Sequence, residues 1–119
     1  MNSPLPERRV QRSSNPQVAL ACWLEATRRR TNLSSLALAD SLGILVAGAG
    51  PARECDELAA WAGVLSQGGD WPERPPFEFS AAKVPGFDAY VCLEGADDVR
   101  NGVAQAAAAG CSRILCGRA

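Results

Sequence analysis

The chain has 119 residues, of which 47% are hydrophobic and 21% are charged, and its formal net charge at pH 7 is −1. A chain of this length forms one domain and buries roughly two-thirds of the surface of its unfolded form, so it needs no metal or disulfide for stability. No apolar run approaches the length that spans a bilayer, and the charge balance gives no general attraction to nucleic acid. We therefore expect no membrane insertion, no nucleic-acid partner and no cofactor.

The first fourteen residues show no hydrophobic period and contain Pro4, Pro6 and the pair Ser13-Ser14. We predict a mobile N-terminal tail over residues 1–14 and a single domain over residues 15–119. The arginines of the tail are not followed by an apolar stretch, so the pattern of a secretory signal peptide is absent, and we expect a cytoplasmic protein.

A first helix is predicted to begin at Asn15-Pro16, since asparagine caps new helices and proline is accepted in the first turn. Its apolar stripe is Leu20, Trp23, Leu24 and Thr27. Arg28-Arg29-Arg30 fits the cationic last turn of this helix, where it opposes the helix dipole. The alternative, a phosphate-binding patch, is less favoured because no aromatic residues are interleaved with the arginines.

A β-hairpin is predicted from Leu36 to Gly48. Two apolar runs, 36–39 and 44–47, flank the turn Asp40-Ser41-Leu42-Gly43. Both alternating faces of each run are apolar, so we expect helices on both faces of the sheet.

A second helix is predicted from Ala52 to Gln67, with a core stripe of Cys55, Leu58, Ala59, Ala62 and Leu65. Trp61 and Val64 fall outside that stripe, beside Ala60, Glu57 and Arg53, which widens the apolar arc of the helix. Trp61 and Val64 are consistent with additional core. Tryptophan is also a preferred anchor at protein interfaces, so these five residues are the predicted partner interface.

Residues 68–76 are predicted to form a loop, and a second hairpin follows with strands at Phe77–Ala81 and Ala89–Leu93. Asp97 and Asp98 are predicted to cap a last helix. The apolar face predicted for this helix is Val99, Val103, Ala106, Gly110 and Ile114. Because its side chains are small, we expect this helix to approach the sheet closely. The predicted class is α+β, a central antiparallel sheet with helices on both faces in the order α-β-β-α-β-β(-β)-α.

Catalytic residues are not evident. The chain has no histidine, the usual base for a serine or cysteine nucleophile. Its five cysteines form no CxxC pair; four are expected to be buried as small hydrophobic residues and Cys116 to be exposed. The acidic groups near residues 54–57 and 97–98 are explained by their positions at helix starts. We predict that the protein is not an enzyme.

Gly48-Ala49-Gly50-Pro51 resembles the start of a GxGxxG dinucleotide motif, but Arg53 stands where the third glycine belongs and no βαβ unit surrounds it. A glycine-rich turn before a helix can hold a small anion. A sharp turn that leads Pro51 into the helix is the favoured interpretation.

The element order and the segment Leu38–Ala47 resemble the roadblock/dynein-light-chain family, over about residues 16–116. The resemblance implies a profilin-like fold, a homodimer or a heterodimer with a sister subunit through the central helix and an edge strand, and regulation of a small Ras-like GTPase. It would make the helix from Ala52 to Gln67 the dimer helix. The family sheet has five strands, whereas the sequence shows four, so a further strand near Trp71–Phe77 or a split of the last hairpin is required.

An alternative function is a GAF-like or profilin-like sensor of a small ligand, with a pocket between the sheet and the loop at 68–76. A small enzyme would have to work with cysteine or carboxylate chemistry alone.

Overall fold

The structure is a computed structural model that describes residues 15–66, 78–95 and 97–117. The elements of the described residues are α1 (Pro16–Thr31), β1 (Leu36–Asp40), β2 (Leu45–Ala49), α2 (Ala52–Ser66), β3 (Phe79–Lys83), β4 (Ala89–Glu94) and α3 (Asp98–Leu115). The predicted tail over residues 1–14 and the predicted loop over residues 68–76 lie outside the described residues.

The four strands form one antiparallel sheet in the order β2-β1-β4-β3. Helices α1 and α3 pack on one face of this sheet and α2 packs on the other. The α+β class, the antiparallel sheet and the helices on both faces are thus confirmed. The described residues contain four strands. The optional fifth strand is not among them, and the segment Trp71–Phe77 proposed for it lies outside the described residues.

Alternation along the strands explains why both faces of the sheet are covered. In β1, Leu36 and Leu38 join the core beneath α1 and α3, whereas Ala37 and Ala39 join the core beneath α2. Successive side chains of a strand point to opposite faces, so an apolar run without polar residues requires cover on both. We call these the two-helix face and the single-helix face of the sheet.

Helix α1 begins as predicted, and it ends at Thr31, one residue after the three arginines of its last turn. The Asn15 side chain accepts a hydrogen bond from the backbone N–H of Val18 at 3.4 Å, and Pro16 is the first helical residue. Leu20, Leu24 and Thr27 of the predicted stripe are buried; Trp23 is half-buried against the same core.

The described part of the second hairpin begins later than predicted. Its first strand is Phe79–Lys83, not Phe77–Ala81, and its second ends at Glu94. Phe77 lies outside the described residues. The strand extends past Ala81 because Ala82 and Lys83 continue the ladder with β4.

The predicted apolar face of α3 is wrong in part. Asp97 caps the helix as expected, accepting from the backbone N–H of Arg100 at 2.8 Å. Val99, however, is 74% exposed, and Ala106 is also exposed. The buried residues of α3 are Ala104, Ala107, Ala108, Gly110 and Cys111. All five are small, which allows α3 to lie beside α1 over the sheet.

Helix α3 packs closely on the sheet, as expected, and also on α1, which the sequence did not predict. A Cβ added to Gly110 would lie 2.2 Å from the Trp23 ring, and the Trp23 Nε1–H donates to the carbonyl of Ala107 at 2.9 Å. Glycine at 110 therefore makes room for the indole of the neighbouring helix.

Candidate functional site

The inner side of α2 is the predicted stripe. Cys55, Leu58, Ala59 and Ala62 are each at most 2% exposed and pack on Ala37, Ala39 and Cys92 of the sheet. The side chain of Leu65, the fifth member of the stripe, lies outside the described residues. Because this side of the helix is committed to the sheet, the positions on the opposite side of α2 turn outward.

The five predicted interface residues lie together on the outer side of α2. Arg53, Glu57 and Ala60 are exposed, Val64 is 37% exposed, and Trp61 is half-buried. Spacings of three, four and seven residues place side chains on one side of a helix, which accounts for the grouping. We call these five residues the outer α2 face. Whether another protein binds there stays a prediction.

Charge and apolar area are separated along the outer α2 face. Arg53 and Glu57 occupy its N-terminal half and carry opposite charges, whereas Ala60, Trp61 and Val64 occupy its C-terminal half. Asp56 is also exposed in the N-terminal half of α2, so the apolar end lies next to exposed charges with a net value of −1. An apolar centre with charged residues at its border is the usual composition of a protein interface.

A second element, which sequence reasoning missed, lies beside the apolar end. Leu42 is 71% exposed and Ile44 is 59% exposed, on either side of Gly43 in the β1–β2 turn. A Cβ on Gly63 would lie 2.6 Å from the Gly43 Cα, and one on Gly43 would lie 3.5 Å from the Ala60 Cα. The turn thus rests directly on α2. We call Leu42, Gly43 and Ile44 the hairpin tip.

The hairpin tip is held by the side chain of Asp40. One carboxylate oxygen accepts from the backbone N–H groups of Leu42, at 2.9 Å, and Ile44, at 3.0 Å. The Asp40 carbonyl accepts from the Gly43 N–H at 3.1 Å, and Gly43 has φ +84°, which favours glycine. The first strand extends one residue further than predicted, because Asp40 still pairs with Ala89 of β4.

The second strand also differs from the predicted run at 44–47. It spans Leu45–Ala49, and the register shifts between Leu38 and Ala39 so that Val46 bulges from the ladder. The Val46 carbonyl accepts a hydrogen bond from the side-chain amide of Gln17 in α1. The hairpin as a whole occupies the predicted region, with bounds shifted by the bulge.

The glycine turn before α2 is explained by steric contact. Gly50 has φ +96°, and a Cβ there would lie 2.3 Å from the Ser34 carbonyl oxygen. Pro51 precedes the helix, its carbonyl accepts from the Cys55 N–H, and the Ser34 hydroxyl donates to Glu54 at 2.7 Å. These contacts support the interpretation of this segment as a turn rather than an anion site.

The arginines at the end of α1 have partners within the chain. Arg28 and Arg29 each contact a carboxylate oxygen of Glu25 at 2.7 Å, and Arg30 lies 5.8 Å from the centre of the Trp23 ring. Hydrogen bonds from Arg28 and then Arg29 hold the pKa of Glu25 at about 2. The arrangement fits the predicted cationic last turn rather than a phosphate-binding patch.

Three of the five cysteines are buried, not four as expected. Cys55, Cys92 and Cys111 are buried, whereas Cys22 and Cys116 are exposed. Cys22 is not part of the apolar stripe of α1 and lies on the outer side of that helix. Burial raises the pKa of Cys92 and of Cys111 to about 12 and also raises the pKa of Cys55. The three buried thiols are therefore neutral at physiological pH.

Among the described residues, no group of three or more His, Cys, Asp or Glu side chains is placed to hold a metal ion. None of the described helices is long and apolar enough to cross a membrane. Comparisons with protein-family models, with curated proteins and with solved structures found no match to this chain.

Proposed function

We propose that the protein is a non-catalytic, dimeric regulatory or scaffold module of the cytoplasm that resembles roadblock proteins. Its outer α2 face binds a second copy or a sister subunit, and the assembly binds or regulates a small Ras-like GTPase. The observation that carries this proposal is the grouping of Arg53, Glu57, Ala60, Trp61 and Val64 on the side of α2 turned away from the sheet.

The arrangement of the layers supports the proposed resemblance. One helix lies alone on one face of an antiparallel sheet, with the first and last helices together on the other. Among the residues that the structure describes, no second helix lies on the side of the central helix turned away from the sheet. The departure from the family is the strand number, since the described residues contain four strands.

The side chains of the outer α2 face are suited to binding protein. Trp61 offers a large rigid ring, and its neighbour Ala60 is small enough for a second helix to approach closely. Tryptophan residues near the centre of an interface often carry a large part of its binding energy.

Analytical ultracentrifugation of the purified chain tests the dimer. We expect a dimer at micromolar concentration, and we expect Trp61→Glu and Val64→Glu each to weaken self-association at least about thirtyfold, because each buries a charge twice in a symmetric interface. Val99→Glu is the matched control, since Val99 is 74% exposed on α3, which packs on the opposite face of the sheet. A strict monomer that Trp61→Glu does not change would count against the proposal.

The GTPase part of the proposal is tested by affinity capture from the native cell. We expect the wild-type chain to retain a small GTPase, identified by mass spectrometry, and the Trp61→Glu variant to lose it if the dimer forms the docking surface. Capture of no GTPase by the wild-type chain would remove this part and leave the dimer proposal standing.

The ligand-sensor alternative has its predicted pocket against residues 68–76, which lie outside the described residues. A copurified small molecule in a native mass spectrum would favour that alternative.

A further inference from the structure

The hairpin tip is an unusual place for large apolar side chains. Turns are normally polar, yet Leu42 and Ile44 are among the most exposed large hydrophobic residues of the described chain. Single exposed apolar residues need no explanation, but adjacent ones next to a further apolar surface indicate a binding site. The contact of Gly43 with Gly63 joins the tip to the apolar end of the outer α2 face.

The tip is also rigid before any partner binds. Asp40 fixes the amides of Leu42 and Ile44, and the turn sits on the helix through two glycines with no side chain between them. A surface that is already ordered loses less conformational entropy on association than a flexible loop does. The tip and the helix therefore present one fixed surface.

We propose that the hairpin tip and the outer α2 face form a single composite surface, and that its occupant is the composite surface of a second copy of this chain. This inference rests on the proposed dimer and specifies which residues beyond α2 build it. In a two-fold dimer the same patch is used on both copies, so the tip of each copy contributes to the interface.

The size of the surface favours including the tip. A stable interface buries about 800 Å² on each partner. The outer α2 face alone offers limited apolar area, since Ala60 is small, Trp61 is half-buried and Val64 is only 37% exposed. Leu42 and Ile44 are larger contributors than Val64, because more of each side chain is accessible. An interface confined to the helix would leave out Leu42 and Ile44, whose side chains are more exposed than that of Val64.

The charges favour a second copy over a strongly charged partner. The exposed charges beside the apolar end, Arg53, Asp56 and Glu57, sum to −1, and the net charge of the whole chain is also only −1, so two copies meet without strong repulsion. An antiparallel overlap of the C-terminal halves of α2 would place Ala60, Trp61 and Val64 at the centre and the charged residues at the border. Such an interface has the apolar core and polar border of stable protein complexes.

The test compares Leu42→Ser and Ile44→Ser with Val99→Ser in sedimentation equilibrium measurements of the full chain. Leu42 and Val99 are matched, being 71% and 74% exposed. We expect each tip variant to raise the dimer dissociation constant by roughly tenfold to a hundredfold, because the apolar contact is lost from both copies. We expect Val99→Ser to change the dissociation constant less than twofold. Thermal unfolding of each variant serves as the folding control.

The same measurements separate this inference from the proposed function. If Trp61→Glu weakens the dimer but both tip variants stay within twofold of wild type, the composite surface is wrong and the helix interface stands. If the tip variants weaken the dimer and Trp61→Glu and Val64→Glu do not, the helix interface is wrong and the surface is not composite. A chain that remains monomeric at several hundred micromolar overturns both.

Discussion

The two faces of the sheet are built from side chains of different size. The two-helix face holds most of the large buried aliphatic residues, including Leu24, Leu38 and Leu93, together with the small buried side chains of α3. Apart from Leu58, the fully buried residues of the single-helix face are alanines and cysteines. One hairpin, β1 to β2, supplies both faces, so the difference lies in the alternation of large and small residues along the same strands.

This difference suggests that one face of the sheet mainly stabilises the fold and that the other carries the exposed surface for a partner. The two-helix face has the larger apolar volume, so we expect it to supply most of the hydrophobic stabilisation. On the single-helix face, small residues let α2 and the β1–β2 turn meet backbone to backbone at Gly43 and Gly63. The outer α2 face and the hairpin tip are exposed on the side of the single-helix face, whose buried side chains are smaller.

Truncation of a large residue on the two-helix face should have the largest effect on stability. Leu38 is fully buried, and we expect Leu38→Ala to lower the free energy of unfolding by about 3 kcal/mol through lost burial and the cavity left behind. Urea denaturation measures this. Leu42→Ala, in the same hairpin but exposed, should cost less than about 0.5 kcal/mol. Equal costs for the two variants would show that the face is not packed as described.

On the single-helix face, adding a methyl group at a close backbone contact should lower stability. A Cβ on Gly63 would lie 2.6 Å from backbone of the hairpin tip, so we expect Gly63→Ala to cost about 2 kcal/mol. Gly102 in α3 has no atom within 4 Å of an added Cβ. Gly102→Ala should therefore stabilise by about 0.5–1 kcal/mol, as expected for an exposed helix position. If Gly63→Ala also stabilises, the tip does not rest on α2.

Alkaline pH should weaken the fold through a buried thiol on each face. Burial raises the pKa of Cys92 and Cys111 from the ordinary 9.0 to about 12. Above pH 9.0 the unfolded chain loses these protons and the folded chain keeps them, so stability is full below pH 9.0 and falls as pH rises towards 12. We expect about 1 kcal/mol lost per thiol by pH 10.

The Cys92→Ala variant isolates the contribution of one thiol. Urea denaturation at pH 8 and pH 10 should show a smaller loss of stability between the two pH values for Cys92→Ala than for wild type. The absolute stability of the variant does not enter this comparison. Equal losses in both proteins would mean that the Cys92 thiol ionises as readily in the folded chain as in the unfolded one.

Local patterns in the sequence were sufficient to predict the parts of the fold that depend on them. Apolar residues on both faces of the run at 36–39 required helices on both sides, and the spacing of Cys55, Leu58, Ala59 and Ala62 identified the inner side of α2. The caps at Asn15 and Asp97 followed from their side-chain chemistry.

Other parts depended on contacts between residues distant in the chain. The turn rests on α2 through Gly43 and Gly63, twenty residues apart, and no local period reveals that contact. In α3, hydrophobicity favoured Val99 for the core, but the requirement to fit Trp23 beside Gly110 selected the small residues. The bulge at Val46 likewise moved the strand bounds for a reason that alternation cannot show.

The most direct test of binding on the single-helix side is a concentration series of backbone amide NMR spectra. We expect chemical shifts to change with concentration at residues 42–44 and along the outer side of α2, from Arg53 to Val64, while the amide signals of the exposed residues Val18 in α1 and Val99 in α3 stay constant. Changes confined to α1 and α3, or no changes up to several hundred micromolar, would contradict binding through the single-helix side.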